Sequence, residues 1–112
     1  MEKAKDTREL ADIMFEFDNW REGHDELDEN ADVIFKLSDG STYCGTLFTY
    51  RNLLTLAKRN RVSGECLFGK YFYCDKPVFI EKMEKQTIIS VIKDIIERGE
   101  VDLAFTRIDG KE

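Results

Sequence analysis

Apolar and polar residues alternate most regularly over residues 32–50, DVIFKLSDGSTYCGTLFTY, and this pattern predicts a β-hairpin. Asp39-Gly40 at its centre is the dipeptide preferred in a two-residue type I′ turn, because both central positions of that turn need a positive φ. The register follows from the turn. The pairs predicted for the buried face are Leu37 with Thr42, Phe35 with Cys44, and Val33 with Thr46, with Phe48 further along.

The opposite face of the hairpin is predicted to carry both polar and apolar residues. It carries Lys36, Tyr43 and Gly45, with Ile34 and Leu47 as its apolar members. We expect Gly45 to lie opposite Ile34, where a missing side chain indicates a bulge or a close approach of the backbone.

The chain before the hairpin gives less regular patterns. Residues 1–12 are predicted to be helical, with Asp6 and Glu9 placed as a capping-box pair. Residues 13–19 fit either an apolar helix face or an alternating strand. We favour the strand because the segment is short and rich in aromatic residues. Residues 21–30 are interpreted as a charged connection to the hairpin.

A short helix is predicted directly after the hairpin, over residues 52–62. Its apolar residues Leu53, Leu56 and Ala57 are expected to face inward, and cations occupy its last turns, where they complement the helix dipole. Gly64 is a plausible stop because glycine adopts the left-handed conformation that ends many helices.

Two short strands are predicted next. Residues 65–69 are interpreted as a loop, residues 70–74 as a strand, and residues 78–80 as a further strand or the second half of a bent one. Pro77 separates the two because it cannot donate a hydrogen bond to a strand ladder.

The clearest helix is predicted over residues 85–98, ending at Gly99. Its apolar stripe consists of Ile88, Val91, Ile92, Ile95 and Ile96. The alternation that follows over residues 101–105 predicts a closing strand.

These elements predict an α+β fold with a mainly antiparallel β-sheet of about four to six strands and two to three helices packed on one face. A chain of 112 residues has the length of one domain and needs no disulfides to build a core. We expect a single domain over residues 1–112, with an acidic N-terminal segment at 1–32 followed by a hairpin and helix core at 33–108.

The net charge differs strongly between the N-terminal segment and the rest of the chain. Residues 1–32 hold twelve Asp or Glu against four Lys or Arg, a net charge of −8, whereas residues 33–112 have a net charge of +2. Such an acidic run speeds association with basic partners and disfavours nucleic acid. The N-terminus lacks the apolar region of a signal peptide and no apolar run approaches a membrane span, so we expect a cytoplasmic protein without membrane contact.

Catalytic and metal-binding patterns are weak in this chain. His24 lies in the acidic connection and is interpreted as a solvated histidine, and Cys44, Cys66 and Cys74 as reduced, mostly buried small hydrophobes. The acidic residues do not have the spacing of an EF-hand loop, and no Walker loop is present. We therefore expect no enzyme, no cofactor and no metal.

A nucleic-acid interpretation would use the cations of residues 58–70, with Tyr71 and Tyr73 as stacking platforms. The overall charge of −6 opposes it. Protein binding fits the acidic run better, because Trp20, an aromatic type common in interface hot spots, lies within it. The residues predicted to bind a partner are Asp18, Trp20, Glu22, Asp25, Glu26, Asp28 and Glu29, with Tyr71 and Tyr73 as secondary candidates.

The run FTYRN at 48–52, followed by GECLFGKYFYCD at 64–75 and an Ile-rich helix, resembles a group of small, mostly uncharacterised bacterial proteins. The resemblance covers roughly residues 32–105, and its most specific part is the string G-E-C-L-x-G-K-Y-F. The group carries tryptophan where this chain has Tyr73. Some of its members look like immunity partners encoded beside toxins, so the resemblance implies an immunity function and brings no catalytic residues.

Charge pattern and resemblance together predict a protein that binds and neutralises a basic partner protein, as an immunity protein against a toxin such as a nuclease. The alternative is a phage- or mobile-element-encoded inhibitor of a host or defence nuclease, which would use the same acidic surface.

Overall fold

The computed structural model describes residues 6–110, in which five strands and four helices form the α+β fold predicted from the sequence. The helix count is one above the predicted range. In chain order the elements are β1 Leu10–Phe15, a 3₁₀ turn Glu16–Asn19, β2 Asn30–Leu37, β3 Thr42–Thr49, α1 Tyr50–Ser63, α2 Glu65–Gly69, β4 Pro77–Ile80, α3 Lys85–Glu97, α4 Val101–Ala104 and β5 Thr106–Arg107.

One five-stranded sheet organises the fold. Its order is β1-β2-β3-β4, and β5 also pairs with β3. The β1–β2, β2–β3 and β3–β5 pairs are antiparallel, whereas β3 and β4 are parallel. The parallel pair arises because β3 and β4 are joined by a long helical crossover, α1 and α2, which returns the chain to the same end of the sheet before β4 begins.

The central hairpin is present, but its predicted turn is wrong by one residue. The N–H of Leu37 donates to the carbonyl of Ser41 at 2.9 Å, so the turn between these two residues has three residues, Ser38 to Gly40. The N–H of Gly40 donates to the carbonyl of Leu37, also at 2.9 Å. Only Gly40 takes a positive φ, +88°, whereas a type I′ turn would need one at Asp39 as well. The Asp39 carboxylate instead accepts the N–H of Ser41 at 3.0 Å, which stabilises the longer turn.

This extra turn residue reverses the predicted sides of β3, because a one-residue slip moves every side chain to the other face of the sheet. Phe35 pairs with Tyr43 in place of Cys44, and their rings stack with centroids 5.6 Å apart. Tyr43 and Leu47 are therefore buried in the core. The residues predicted to pair on the buried face, Thr42, Cys44 and Thr46, lie on the opposite face, which we call the outer face.

Gly45 faces the core, opposite Val33 and not Ile34. A Cβ atom at Gly45 would lie 2.8 Å from Cε1 of Phe105 and closer still to Cδ1. The missing side chain does allow a close approach, but the prediction of backbone or a bulge there is wrong, because the approaching group is the Phe105 ring. That ring also packs edge-on against Phe35, at 4.9 Å between centroids.

A single hydrophobic core lies between the sheet and the helices α3 and α4. The apolar stripe predicted for α3 is confirmed, because Ile88, Ile92 and Ile96 are buried against the sheet. Met83, just before α3, is completely inaccessible to solvent. The core includes Phe15 and Phe17 from the acidic N-terminal segment.

The predicted N-terminal helix lies outside the described residues for positions 1–5 and is wrong for the rest. Residues 6–9 form neither helix nor strand, and the strand β1 begins at Leu10. Asp6 does not cap a helix; it pairs with Arg8 at 2.8 Å. Of the ambiguous residues 13–19, the first three are strand as favoured, and the remainder form the 3₁₀ turn.

Two further predicted strands are absent from the described chain. Residues 70–74 are mostly coil, because Phe72 packs on the Phe48 ring, at 5.5 Å between centroids, and does not join a ladder. The alternating residues of 101–105 form α4 instead, which places Val101 and Phe105 together in the core at helical spacing. The closing strand begins only at Thr106.

A polar network connects the N-terminal coil to the hairpin and to α4. Nη1 of Arg8 donates to Oγ of Ser41 at 3.1 Å and lies 3.5 Å from the Asp39 carboxylate. The Tyr43 hydroxyl, also an acceptor for Arg8, donates to Asp102 at 2.8 Å. Burial raises the pKa of Tyr43, so this phenol stays protonated and keeps donating.

Helix α1 ends at Gly64 as predicted, with φ of +90°, and the next turn is left-handed. Cys66, Leu67 and Phe68 have φ values of 53°, 50° and 57°, where a loop was predicted. L-residues in this conformation cost roughly 1–2 kcal/mol each. Gly69 closes the turn, and its missing side chain lets the backbone approach Ala57 on α1.

Substituting Gly45→Ala is expected to destabilise the fold by about 1–3 kcal/mol, because the new methyl group overlaps the Phe105 ring. Chemical denaturation measures the loss. In a double-mutant cycle, Phe105→Leu provides space for the methyl group, so the loss caused by Gly45→Ala should be smaller in that background. Equal losses in both backgrounds would show that Phe105 is not the residue that excludes a side chain at position 45.

Candidate protein-binding site

The acidic connection between the 3₁₀ turn and β2 is an ordered loop, attached to the core at several points. The His24 ring is half-buried and packs on Phe17 at 4.1 Å between centroids, so its interpretation as a solvated histidine is wrong. Nε2 of His24 donates to the carbonyl of Met83 at 2.5 Å, and the N–H of Met83 donates to the carbonyl of Glu26 at 2.6 Å. Two bonds to one buried residue thus hold the middle of the loop.

Trp20 has an intramolecular packing role. Its half-buried ring meets Phe17 and His24 edge-on, at 6.4 Å and 6.3 Å between centroids. Part of the surface predicted as a partner anchor is therefore already covered by the chain itself.

Asp18 and Asp28 also have partners within the chain. Asp18 pairs with Lys85 at the start of α3, at 2.8 Å. Asp28 accepts hydrogen bonds from two side chains of α1, Thr55 at 2.7 Å and Asn52 at 3.0 Å. These bonds hold the end of the acidic loop against the first turns of that helix.

The hydrogen bonds from Thr55 and then Asn52 lower the pKa of Asp28, because they stabilise its ionised form. Glu29 is half-buried and completes the attachment through its backbone, which exchanges hydrogen bonds with Thr49 at 3.0 Å and 3.2 Å. Thr49 is also the N-cap of α1, so one hydroxyl serves both the loop and the helix.

The carboxylates left facing solvent are those of Glu22, Asp25 and Glu26. All three residues are exposed, and none makes an ion pair with another residue in the range 6–110. Asp25 accepts the N–H of Leu27 at 3.0 Å, which stabilises the turn that displays the group. Leu27 is itself 40% exposed, and the sequence analysis did not single it out because an isolated leucine in a charged run has no periodicity.

Tyr71 and Tyr73 lie on a different part of the fold, in the loop after α2. Both are exposed, and their rings are nearly parallel with centroids 6.4 Å apart. Within residues 6–110, no hydrogen bond, ion pair or ring contact joins either tyrosine to the acidic loop. The two tyrosines and the predicted binding residues of the acidic loop therefore do not contact one another.

The cysteines and possible metal ligands of the described residues lie outside the acidic loop or form no cluster. Burial and the neighbouring Asp75 raise the pKa of Cys74, which disfavours the thiolate that a nucleophile needs. All three cysteines are free and half-buried. Among residues 6–110 no group of three or more His, Cys, Asp or Glu side chains is placed to hold a metal, and no helix there has the length and apolarity to cross a membrane.

Comparison with protein-family models, curated proteins and solved structures finds no significant match to this chain. The resemblance of roughly residues 32–105 to small immunity-like proteins therefore stays a prediction.

Asp28→Asn is expected to destabilise the protein at neutral pH. It should also reduce the slope with which the free energy of unfolding falls as the pH is lowered. The folded-state pKa of Asp28 lies below its ordinary value of 3.8, so its contribution is fully present above that value and is lost as pH falls through the folded pKa. Urea midpoints measured from neutral to acidic pH test this. The control, Glu22→Gln, changes an exposed carboxylate without a side-chain partner in the described chain and should leave the slope unchanged. An unchanged slope in Asp28→Asn would contradict the assignment.

Proposed function

We propose that this chain binds and neutralises a basic partner protein, as an immunity protein against a toxin such as a nuclease. The observation that supports this most is the exposed carboxylate group of Glu22, Asp25 and Glu26 on a loop attached to the core. Because their backbone is already ordered, little conformational entropy is lost when a partner binds.

The charge distribution supports a basic partner. The three exposed carboxylates belong to the N-terminal segment of net charge −8, which steers a cationic surface toward the loop. A nuclease must present cations to hold phosphates, and carboxylates at similar positions can occupy that cleft in place of the substrate. Leu27 and the exposed edge of Trp20 add apolar area beside the charges.

The acidic residues contribute to this function in two ways. Asp18, Asp28 and Glu29 are engaged in holding the loop, through Lys85, α1 and Thr49, so we assign them a positioning role. Glu22, Asp25 and Glu26 are assigned direct pairing with the partner. Tyr71 and Tyr73 remain secondary candidates on a separate surface.

The function is tested by affinity capture from a lysate of the native host, at low and moderate salt. The test variant carries Glu22→Gln, Asp25→Asn and Glu26→Gln. A matched control with the same change in net charge carries Glu9→Gln, Glu65→Gln and Glu97→Gln, three exposed carboxylates outside the loop. We expect one protein to be retained by the wild type and the control and lost by the test variant.

Binding kinetics with the captured protein separate the roles of the three carboxylates. Removing one that is buried against a cation should cost about 2–5 kcal/mol through faster dissociation, whereas a carboxylate at the rim should mainly slow association. A captured toxin that the wild-type chain inhibits supports immunity, and a captured host nuclease supports the mobile-element alternative. Equal retention by all three forms would remove the loop from the binding site.

A further inference from the structure

Residues 50–74, which we call the arm, expose apolar surface that no other residue from 6 to 110 covers. The arm contains α1, α2 and the tyrosine loop, and the residues that α1 buries are two asparagines, Asn52 and Asn60. Of the fourteen large hydrophobic residues with exposed side chains in the described chain, eight lie in the arm. They are Tyr50, Leu54, Val62, Leu67, Phe68, Tyr71, Phe72 and Tyr73.

The left-handed turn strengthens the case that something covers this surface. Its conformation is unfavourable for Cys66, Leu67 and Phe68, yet Leu67 and Phe68 remain 66% and 63% exposed. Strained backbone persists where surrounding contacts or function require it. Inside one chain these two side chains gain little burial in return for the strain.

Charge limits what can cover the arm. Residues 50–74 have a net charge of +4 and the rest of the chain −10. Lys58, Arg61 and Lys70 are exposed and have no ion pair with any residue from 6 to 110. Two arms packed on one another would place these cations together, so a contact between arms is disfavoured. An acidic surface with apolar residues is the complementary partner.

The outer face of the sheet carries such a surface. A groove of about 460 Å³ lies over β1 and β2. Met14 and Ile34, neighbours in the strand register, are 61% and 37% exposed and supply its apolar residues. Glu16 and Asp32 supply its acidic ones, together with Asp18, which already pairs with Lys85.

Sheet topology places the arm and the groove so that each can contact the other in a second copy of the chain. The arm contacts the outer face at the β3–β4 end, where the Phe72 ring meets Phe48. The groove lies on the same face at the β1–β2 end. When two outer faces meet about a two-fold axis parallel to the strands, each arm lies over the partner's groove, and the assembly closes as a dimer.

We propose that a second copy of this chain covers the arm, forming a two-fold dimer in which the arm of each copy docks into the acidic groove of the other. Leu67 and Phe68 approach Met14 and Ile34, and the arm cations face the groove carboxylates. This interface is separate from Glu22, Asp25 and Glu26, so it does not depend on the function proposed above.

Sedimentation velocity of the full chain over a wide concentration range tests the dimer. The arm variant carries Lys58→Glu and Lys70→Glu, and the groove variant Glu16→Lys and Asp32→Lys. We expect the wild type to dimerise, more weakly as salt rises, and each variant to be monomeric. An equimolar mixture of the variants should dimerise again, because each reversed arm then meets a reversed groove. Recovery in the mixture also shows that both variants are folded.

Two further variants sharpen the test. Lys93→Glu with Arg98→Glu, two exposed cations on α3 and directly after it, reverses the same number of cations away from arm and groove and should leave the dimer intact. Leu67→Asn tolerates the left-handed backbone and removes the apolar side chain, so it should weaken dimerisation roughly tenfold or more without loss of folding.

The proposal is overturned if the wild type stays monomeric at high concentration and low salt, or if the mixture of arm and groove variants stays monomeric. It is also overturned if the wild type remains monomeric but binds vesicles of phosphatidylcholine and phosphatidylglycerol, or a single-stranded oligonucleotide, through Lys58 and Lys70. Those results would assign the arm to a membrane surface or to nucleic acid.

Discussion

The turn between β2 and β3, with three residues between the hydrogen-bonded Leu37 and Ser41, is the constraint on which the rest of the sheet depends. Its length decides that Tyr43, Gly45 and Leu47 face the core. Gly45 then leaves space for the Phe105 ring, which brings the chain from α4 to its last strand beside β3. The buried Tyr43 hydroxyl needs a partner, and Asp102 on α4 supplies it. Adding or removing one turn residue would therefore alter both the core and the polar network.

The acidic segment shows how one run of like charges is divided between structure and surface. Carboxylates with donors in reach, such as Asp18 and Asp28, hold the loop against α3 and α1. His24 and Trp20 pack on Phe17, so aromatic contacts also attach the loop to the core. The remaining carboxylates repel one another in water, and the surrounding attachments keep them together. This arrangement suits a surface that binds cations with little reordering.

The candidate site was only partly predictable from the sequence, because some carboxylates hold the loop and others face solvent. Clustered charge and an included tryptophan are visible in the sequence, and they mark the residues that form the acidic loop. Which carboxylates face solvent depends on donors far along the chain, such as Thr55 and Lys85. The left-handed turn had only a weak signal, the glycines that bracket it, because Cys66, Leu67 and Phe68 have no preference for that conformation.

Local pattern determined much of the fold. The period-2 alternation of β2 and the period-3.6 stripe of α3 are both observed, because each buries one face against the core. Gly64 ends α1 for a reason local to glycine. Only tertiary structure decided the register of β3 and the conformation of residues 70–74 and 101–105. Their short apolar patterns fit several elements, and packing of Phe105 on Gly45 and of Phe72 on Phe48 selected one.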